Sequence, residues 1–192
     1  MINTESFEFE GIYHIFSHVN GTEIIFRETS NYQFFLEKIE KYIHPIADIY
    51  AYCLLPNHFH LLLRFKSFED VNNENEHQFL MKPFSDLLNA YAKSYNKVYN
   101  RKGALFLNTI KRKKVQDEKY LLKLLHYIHN NPIKHGFVND IDKWKYTSYS
   151  SYTNLSKPSK LERMQLMEYF DTTEDFIKYH ISNIEYDFMD LE

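Results

Sequence analysis

Two histidines spaced two residues apart are the first candidates for chemistry in this chain. His58 and His60 lie in the apolar run 54–65, whose composition predicts a β-strand. Successive strand residues point to opposite faces, so the two histidines would share one face while Phe59 and Leu61 lie on the core face. Neutral imidazole is a common ligand of divalent metals. The spacing therefore indicates either a metal site or a pair of half-exposed structural histidines.

A tyrosine and an amide share one side of another predicted element. An apolar stripe predicts a helix from Asp117 to about Asn131, ended by Pro132. Residues four apart are neighbours on a helix, which places Tyr127 beside Asn131. Because the residue before proline is steered away from the α region, we expect the Asn131 amide at the helix end to point outward. This pair would suit phosphoryl transfer, although the chain has 16 tyrosines and most tyrosines are core or interface residues.

The remaining pattern predicts alternating strands and helices around these two segments. A first strand at 7–20 places His14 and Phe16 on one face, and a helix at 32–43 is capped within 29–31 and stopped by Pro45. Strands at 47–55 and 58–65 form a hairpin through Pro56-Asn57. An exposed loop at 67–77, a long helix with its apolar stripe at 84–98, and a fourth strand at 104–115 follow.

Composition indicates an ordered protein of one main domain. The chain has 192 residues, 44% of them hydrophobic, and only 4 Gly and 5 Pro. Cys53 is the single cysteine, which excludes an internal disulfide and fits a reducing compartment. No export signal or run of about eighteen apolar residues is present. We therefore expect a cytoplasmic protein.

Positive charge is concentrated in one part of an acidic chain. The net charge is −3, yet residues 101–145 hold eleven Lys and Arg against four Asp and Glu. Such a block is either a polyanion-binding surface or a solvated strand end and helix face. The residues expected to contact the phosphates of such a polyanion are Arg101, Lys102, Lys111, Arg112, Lys113, Lys114 and Lys134.

Several motifs occur together in an order that resembles a known family. They are Tyr13-His14-Ile15-Phe16, Asn57-His58-Phe59-His60-Leu61-Leu62, Gly103-Ala104-Leu105-Phe106, the phrase Tyr127-Ile128-His129-Asn130-Asn131-Pro132-Ile133-Lys134-His135-Gly136-Phe137-Val138, and Trp144-Lys145-Tyr146-Thr147-Ser148-Tyr149. Over residues 8–153 the chain resembles the REP-associated tyrosine transposases, relatives of the small insertion-sequence transposases in the HUH superfamily.

The resemblance implies a fold and a reaction. The fold would be α+β, a ferredoxin-like antiparallel sheet covered by helices with a helical C-terminal appendage. His58, His60 and Asn131 would hold Mg²⁺ or Mn²⁺, and Tyr127 would be the nucleophile. The protein would cleave single-stranded, hairpin-containing DNA through a 5′-phosphotyrosine and rejoin the strands, as an endonuclease of DNA recombination. Two alternatives remain: a hairpin-binding protein that does not cleave, and a metal-dependent nuclease that uses water.

The resemblance ends near residue 153, and the segment beyond it is predicted from its own pattern. Residues 1–153 would be the catalytic domain and 154–192 an appendage of two amphipathic helices at 161–170 and 174–184, the second capped by Thr172 or Thr173. An acidic segment, 185–192, follows. The appendage either packs on the domain or occludes the basic surface. A bacterial, nucleoid-associated monomer or homodimer is expected, with aromatics such as Phe106 and Tyr127 approaching DNA bases.

Overall fold

One antiparallel sheet organises the molecule. The computed structural model describes residues 5–19, 23–106 and 110–184. Four strands run in the order β2-β3-β1-β4, with β1 at Ile12–His18, β2 at Ala47–Leu55, β3 at His58–Phe65 and β4 at Lys111–Lys114. The helices are α1 (Thr29–Tyr42), α2 (Glu76–Val98), α3 (Glu118–Lys134), α4 (Tyr149–Tyr152), α5 (Met164–Met167) and α6 (Thr173–Ile181). The predicted α+β fold, an antiparallel sheet covered by helices, is confirmed.

The central hairpin has the predicted bounds. Strands β2 and β3 pair from Ala47 opposite Phe65 to Leu55 opposite His58, with Pro56-Asn57 as the turn. Proline fixes its own φ angle and asparagine readily adopts turn conformations, so the two apolar runs fold back on each other. The hairpin places His58 at the beginning of β3, beside the turn.

Both faces of the sheet are buried, which corrects one expectation. Helices α1 and α2 cover the face that carries Phe59, Leu61 and Leu63. Helix α3 covers the other face, so that His58 is 2% and His60 0% exposed. The expectation of half-exposed structural histidines was wrong, because the alternating pattern of a single strand does not reveal a second layer of helix.

The fourth strand is shorter than predicted. Among the described residues of 104–115, Lys111–Lys114 pair with β1, and Phe106 contributes an isolated bridge to Val19. Residues 107–109 of the predicted strand lie outside the described residues. The four cationic residues thus form the edge of the sheet, where charged side chains discourage pairing with another chain.

The first two helices begin earlier than the sequence predicted. Helix α1 starts at Thr29 because the Asn31 side chain accepts hydrogen bonds from the backbone N–H groups of Arg27 and Glu28. Helix α2 starts at Glu76, so the predicted loop at 67–77 extends only to a 3₁₀ turn at Asn73–Asn75. In both cases, residues that the sequence pattern assigns to a cap or a loop are held in the helix by local hydrogen bonds or by packing.

Helix α3 continues past Pro132, contrary to the prediction. Proline removes only its own N–H donor, and the N–H of His135 still bonds to the carbonyl of Asn131 at 3.0 Å. The helix ends instead at Lys134, and Gly136, whose φ is +72°, supplies the left-handed residue after its C-cap. Asn131 therefore lies inside the helix, and its amide points into the protein rather than outward.

The C-terminal segment packs against α3. Phe176 of α6 is fully buried and joins a core shared with Leu121, Leu124 and Leu125. Thr172 caps α6 by accepting from the N–H of Asp175, as predicted, whereas the helix expected at 161–170 is the single turn α5. The acidic segment 185–192 lies outside the described residues, and the domain boundary at residue 153 stays a prediction. None of the helices in the described part of the chain is long and apolar enough to span a bilayer.

Candidate active site

His58 is oriented by its sequence neighbour. Its Nδ1 lies 2.7 Å from the side-chain oxygen of Asn57. An amide oxygen only accepts, so Nδ1 carries the proton and Nε2 keeps a lone pair. A hydrogen-bonded imidazole with one fixed lone pair is the usual arrangement of a metal-ligating histidine.

The lone pair of His58 faces Asn131. The Oδ1 atom of Asn131 lies 3.4 Å from His58 Nε2, and Asn131 is fully buried. Two lone pairs that face each other do not bond, but two ligand atoms of one metal ion stand about 3 to 3.5 Å apart at metal–ligand distances near 2.1 Å. The Asn131 Nδ2 group has no hydrogen-bond partner among the described residues, a state that costs about 1–3 kcal/mol.

His60 is oriented by a histidine of the neighbouring strand. Its Nδ1 lies 2.9 Å from Nε2 of His14, and the two rings are stacked with centroids 5.1 Å apart. Burial, assisted by the charge of Lys113, lowers the pKa of His14 to about 3, so His14 is neutral at pH 7. His14 can therefore accept the Nδ1 proton of His60 and leave Nε2 of His60 as a ligand atom.

Tyr127 lies beside this group of side chains. Its ring meets His60 edge-on, with centroids 5.6 Å apart and an interplanar angle of 90°. The Lys134 ammonium, two turns further along α3, lies 4.4 Å from the centre of the Tyr127 ring. Tyr127 is fully buried and Phe106 is 8% exposed, so the expectation that these two rings approach DNA bases was wrong for this conformation.

The donor set fits a divalent cation. No group of three or more His, Cys, Asp or Glu side chains that could hold a metal occurs among residues 5–19, 23–106 and 110–184. The amide oxygen of Asn131 would be the third protein ligand of a metal held by His58 and His60. The fixed lone pair of His58 Nε2 and the Asn131 Oδ1 atom that faces it suit such a site.

The basic run of β4 is divided between the two faces of the sheet. Lys113 pairs with His14 and Lys111 with Phe16, and the Lys111 ammonium lies 5.5 Å from the centre of the Phe16 ring. These two lysines therefore lie on the face of the histidines. Because strand residues alternate, Arg112 and Lys114 lie on the opposite face, where Arg112 covers the Phe7 ring at 5.0 Å.

The other predicted DNA contacts also differ in their surroundings. Arg101 makes two hydrogen bonds to Glu23 and one to the carbonyl of Ala104, so its guanidinium holds the loop after α2 together. Lys102 and Lys134 are exposed. A contact of Arg101 with DNA would require these internal bonds to break.

Sequence reasoning missed two residues that orient the histidines. His14 was placed on the correct face of the first strand, but only the pairing of β1 with β3 brings it to His60. Asn57 was interpreted as a turn residue, although its oxygen also fixes the ring of His58. A polar residue directly before a candidate ligand was the one signal available for Asn57.

Comparison with known proteins supports the resemblance seen in the sequence. A curated relative from Haemophilus influenzae, provisionally named a REP-associated tyrosine transposase, is 31% identical over 108 residues. The match covers 55% of this chain and spans 61% of the length of that relative. No model of a known protein family matches the chain.

A solved structure shares the fold. It is a REP-associated tyrosine transposase bound to a REP hairpin, and it aligns with a TM-score of 0.66 at 16% identity, covering 98% of this chain and 94% of the other. The resemblance of this chain to that group of proteins is thus confirmed in both sequence and fold.

Proposed function

We propose that this protein is a REP-associated tyrosine transposase that cleaves and rejoins hairpin-forming single-stranded DNA through Tyr127. The observation that carries the proposal is the meeting of His58 Nε2 and Asn131 Oδ1 at 3.4 Å, with Tyr127 one helical turn before Asn131. The curated relative and the hairpin-bound structure support the choice of substrate.

The reaction uses the phenol as a nucleophile. The Tyr127 oxygen attacks a phosphorus of the DNA, a bond forms between them, and the bond from phosphorus to the 3′ oxygen breaks. The phenol loses its proton to water, and the departing oxygen gains one and leaves as a 3′-OH. A divalent cation bound by His58, His60 and Asn131 would offset the charge that develops on the phosphate oxygens.

The product keeps the energy of the broken bond. The 5′ phosphate stays linked to Tyr127, and a 3′-OH can attack this phosphotyrosine to rejoin strands. A phenol suits this reversal because its pKa near 10 makes it a better leaving group than an aliphatic alcohol. Rejoining, rather than hydrolysis, distinguishes a transposase from a nuclease.

The surroundings of the site favour a phosphate. Lys111 and Lys113 lie on its face of the sheet, and Lys134 lies over the Tyr127 ring. These cations would contact the phosphates on either side of the reacting one. Since Tyr127 is fully buried, side chains around it have to move before its oxygen can reach DNA.

The burial of Tyr127 favours a second candidate function. A protein that holds hairpin DNA at the same surface without cleaving it does not need an accessible phenol. The two functions differ in one product, the covalent adduct between protein and DNA.

A capture experiment tests the proposal. Hairpin oligonucleotides from the DNA that flanks the gene, labelled at the 3′ end, are incubated with Mn²⁺ and separated in denaturing gels. We expect a labelled protein band that Tyr127→Phe abolishes and Tyr120→Phe, the same change on the same helix, retains. Cleavage without an adduct would indicate a water-using nuclease, and binding without cleavage would indicate the second candidate.

A further inference from the structure

A row of aromatic side chains leads from the candidate active site across the protein surface. The ring of His135 lies 4.9 Å from that of His58, and Phe137 follows at 6.4 Å. Trp144 lies 5.4 Å beyond Phe137, and Tyr146 lies 5.8 Å beyond Trp144. We call His135, Phe137, Trp144 and Tyr146 the aromatic row.

The aromatic row ends in an open groove. Tyr146 stacks on Tyr32 with centroids 3.5 Å apart and ring planes 5° apart, and both line a groove of about 850 Å³. Pro56, two residues before His58, and Arg27 line the same groove. The row therefore joins the proposed metal ligands to a space large enough for nucleotides.

The rings of the row are accessible and held in place. Phe137 is 42% exposed, and Trp144 and Tyr146 are half-buried. The indole N–H of Trp144 donates to the carbonyl of Leu54 at 3.0 Å, which fixes the ring over the end of β2. Single exposed rings are ordinary on protein surfaces, but a fixed series of them beside a catalytic site is suited to stacking.

Exposed lysines accompany the aromatic row. Lys134 precedes the row in the chain, Lys143 and Lys145 flank Trp144, and all three lysines are exposed. They outnumber the two exposed acids of the same segment, Asp140 and Asp142. Of the two acids that line the groove, Glu23 is paired with Arg101 at 2.5 Å and Glu28 accepts a hydrogen bond from the Tyr99 hydroxyl at 2.9 Å. Aromatic faces alternating with cations are the arrangement that binds single strands without reading their sequence.

We propose that the aromatic row and its groove hold the unpaired nucleotides next to the phosphate that is cleaved, with bases stacked on Phe137 and Trp144. This inference deepens the proposed function and rests on it for the position of that phosphate. It assigns to residues 135–146, which carry none of the proposed metal ligands, the role of placing the strand.

The single tryptophan of the chain reports on this surface. Trp144 is the only tryptophan, so the intrinsic tryptophan fluorescence comes from the aromatic row alone. The probe is an oligothymidylate about twelve nucleotides long, within the usual site size of single-strand binders, compared with an abasic oligomer of equal length and charge. We expect saturable quenching of Trp144 by the oligothymidylate and much less by the abasic oligomer.

Two variants of Phe137 distinguish aromatic stacking from simple apolar contact. Phe137→Ala and Phe137→Leu should each weaken oligothymidylate binding roughly fivefold or more, because both lose the stacking face and only the second keeps the apolar volume. Tyr169→Ala removes another exposed aromatic residue, 39% accessible on the C-terminal segment, and should leave binding unchanged. Circular dichroism confirms that each variant is folded.

Three outcomes would overturn the inference. They are equal quenching by the abasic oligomer, unchanged affinity in both Phe137 variants, and fluorescence that changes with protein concentration alone, which would make the row a contact between copies of the chain. Adduct formation by the unmodified protein is scored separately. An adduct without base-dependent quenching refutes only the row, and quenching without an adduct refutes only the cleavage chemistry.

Discussion

The Nε2 atom of His14 lies 2.9 Å from the Nδ1 atom of His60, and both rings are fully buried. The two histidines belong to neighbouring strands, 46 residues apart in the chain. Because His14 is neutral, its Nε2 lone pair can hold the proton of His60 on Nδ1 and direct the other nitrogen of His60 toward a metal. We therefore propose His14 as a positioning residue for His60.

Substitution of His14 should weaken metal binding without removing a ligand. His14→Leu deprives His60 of its acceptor, and loss of such a partner typically costs 10- to 100-fold in metal affinity. His14→Gln, whose amide can reach a similar position, should restore part of this loss. Mn²⁺ titration followed by electron paramagnetic resonance measures both, and equal affinity in His14→Leu would exclude the positioning role.

Changes at Asn131 should alter stability in opposite directions with and without metal. Asn131→Asp buries a negative charge, so we expect a lower Tm than that of the unmodified protein in the absence of metal. With saturating Mn²⁺ the Tm of this variant should rise more, since a carboxylate adds charge to the ligand set and a ligand that binds only the folded state stabilises it. The Tm of Asn131→Ala should change little when Mn²⁺ is added. A change in Tm equal to that of the unmodified chain would remove Asn131 from the site.

Two double variants of β4 test which face of the sheet binds DNA. Lys111→Gln with Lys113→Gln removes two charges on the histidine face, and Arg112→Gln with Lys114→Gln removes two from the opposite face. The first should weaken single-strand binding and lower the slope of log K against log salt by roughly 0.7 for each DNA phosphate that is no longer neutralised by a lysine.

The second double variant is the matched control. It should leave the salt slope unchanged and lower the free energy of unfolding by about 1 kcal/mol, because it removes the packing of Arg112 on Phe7 and the ion pair of Lys114 with Glu8. Filter binding at several salt concentrations and urea unfolding provide the two measurements. Equal salt slopes in the two variants would show that DNA binding does not discriminate between the two faces of the sheet.

A buried histidine of α6 should make the fold sensitive to acid. His180 donates from Nδ1 to the carbonyl of Phe176 and accepts at Nε2 from His129, and burial lowers its pKa to about 3. The unfolded chain binds a proton near pH 6.5 that the folded chain does not, so His180 contributes stability above that pH which is lost as the pH falls toward 3.

The expected loss is about 1.4 kcal/mol per pH unit within this window. His180→Gln should lower by about one the number of protons taken up on unfolding, which the pH dependence of the unfolding free energy measures. Other buried histidines such as His126 should keep their contribution. Urea unfolding at several pH values between 4 and 7 provides the test. The same slope in the variant would mean that His180 is not protonated on unfolding.

Local patterns were sufficient for the elements whose stability is local. The hairpin of β2 and β3 was predicted with its bounds because alternation and the Pro56-Asn57 turn act within a few residues. The spacing of Tyr127 and Asn131 on one helix face follows from helical periodicity in the same way. The motifs carrying the resemblance are also short and local, and the comparisons agree with them.

Tertiary structure decided which side chains these elements bring into contact. The burial of His58 and His60 depends on α3 covering their face of the sheet, and the contact of His14 with His60 depends on strand order. The continuation of α3 through Pro132 depends on bonds to residues beyond it and directs Asn131 toward His58. Whether a side chain meets another 50 or 70 residues away is set by long-range packing, which no local pattern of apolar and polar residues encodes.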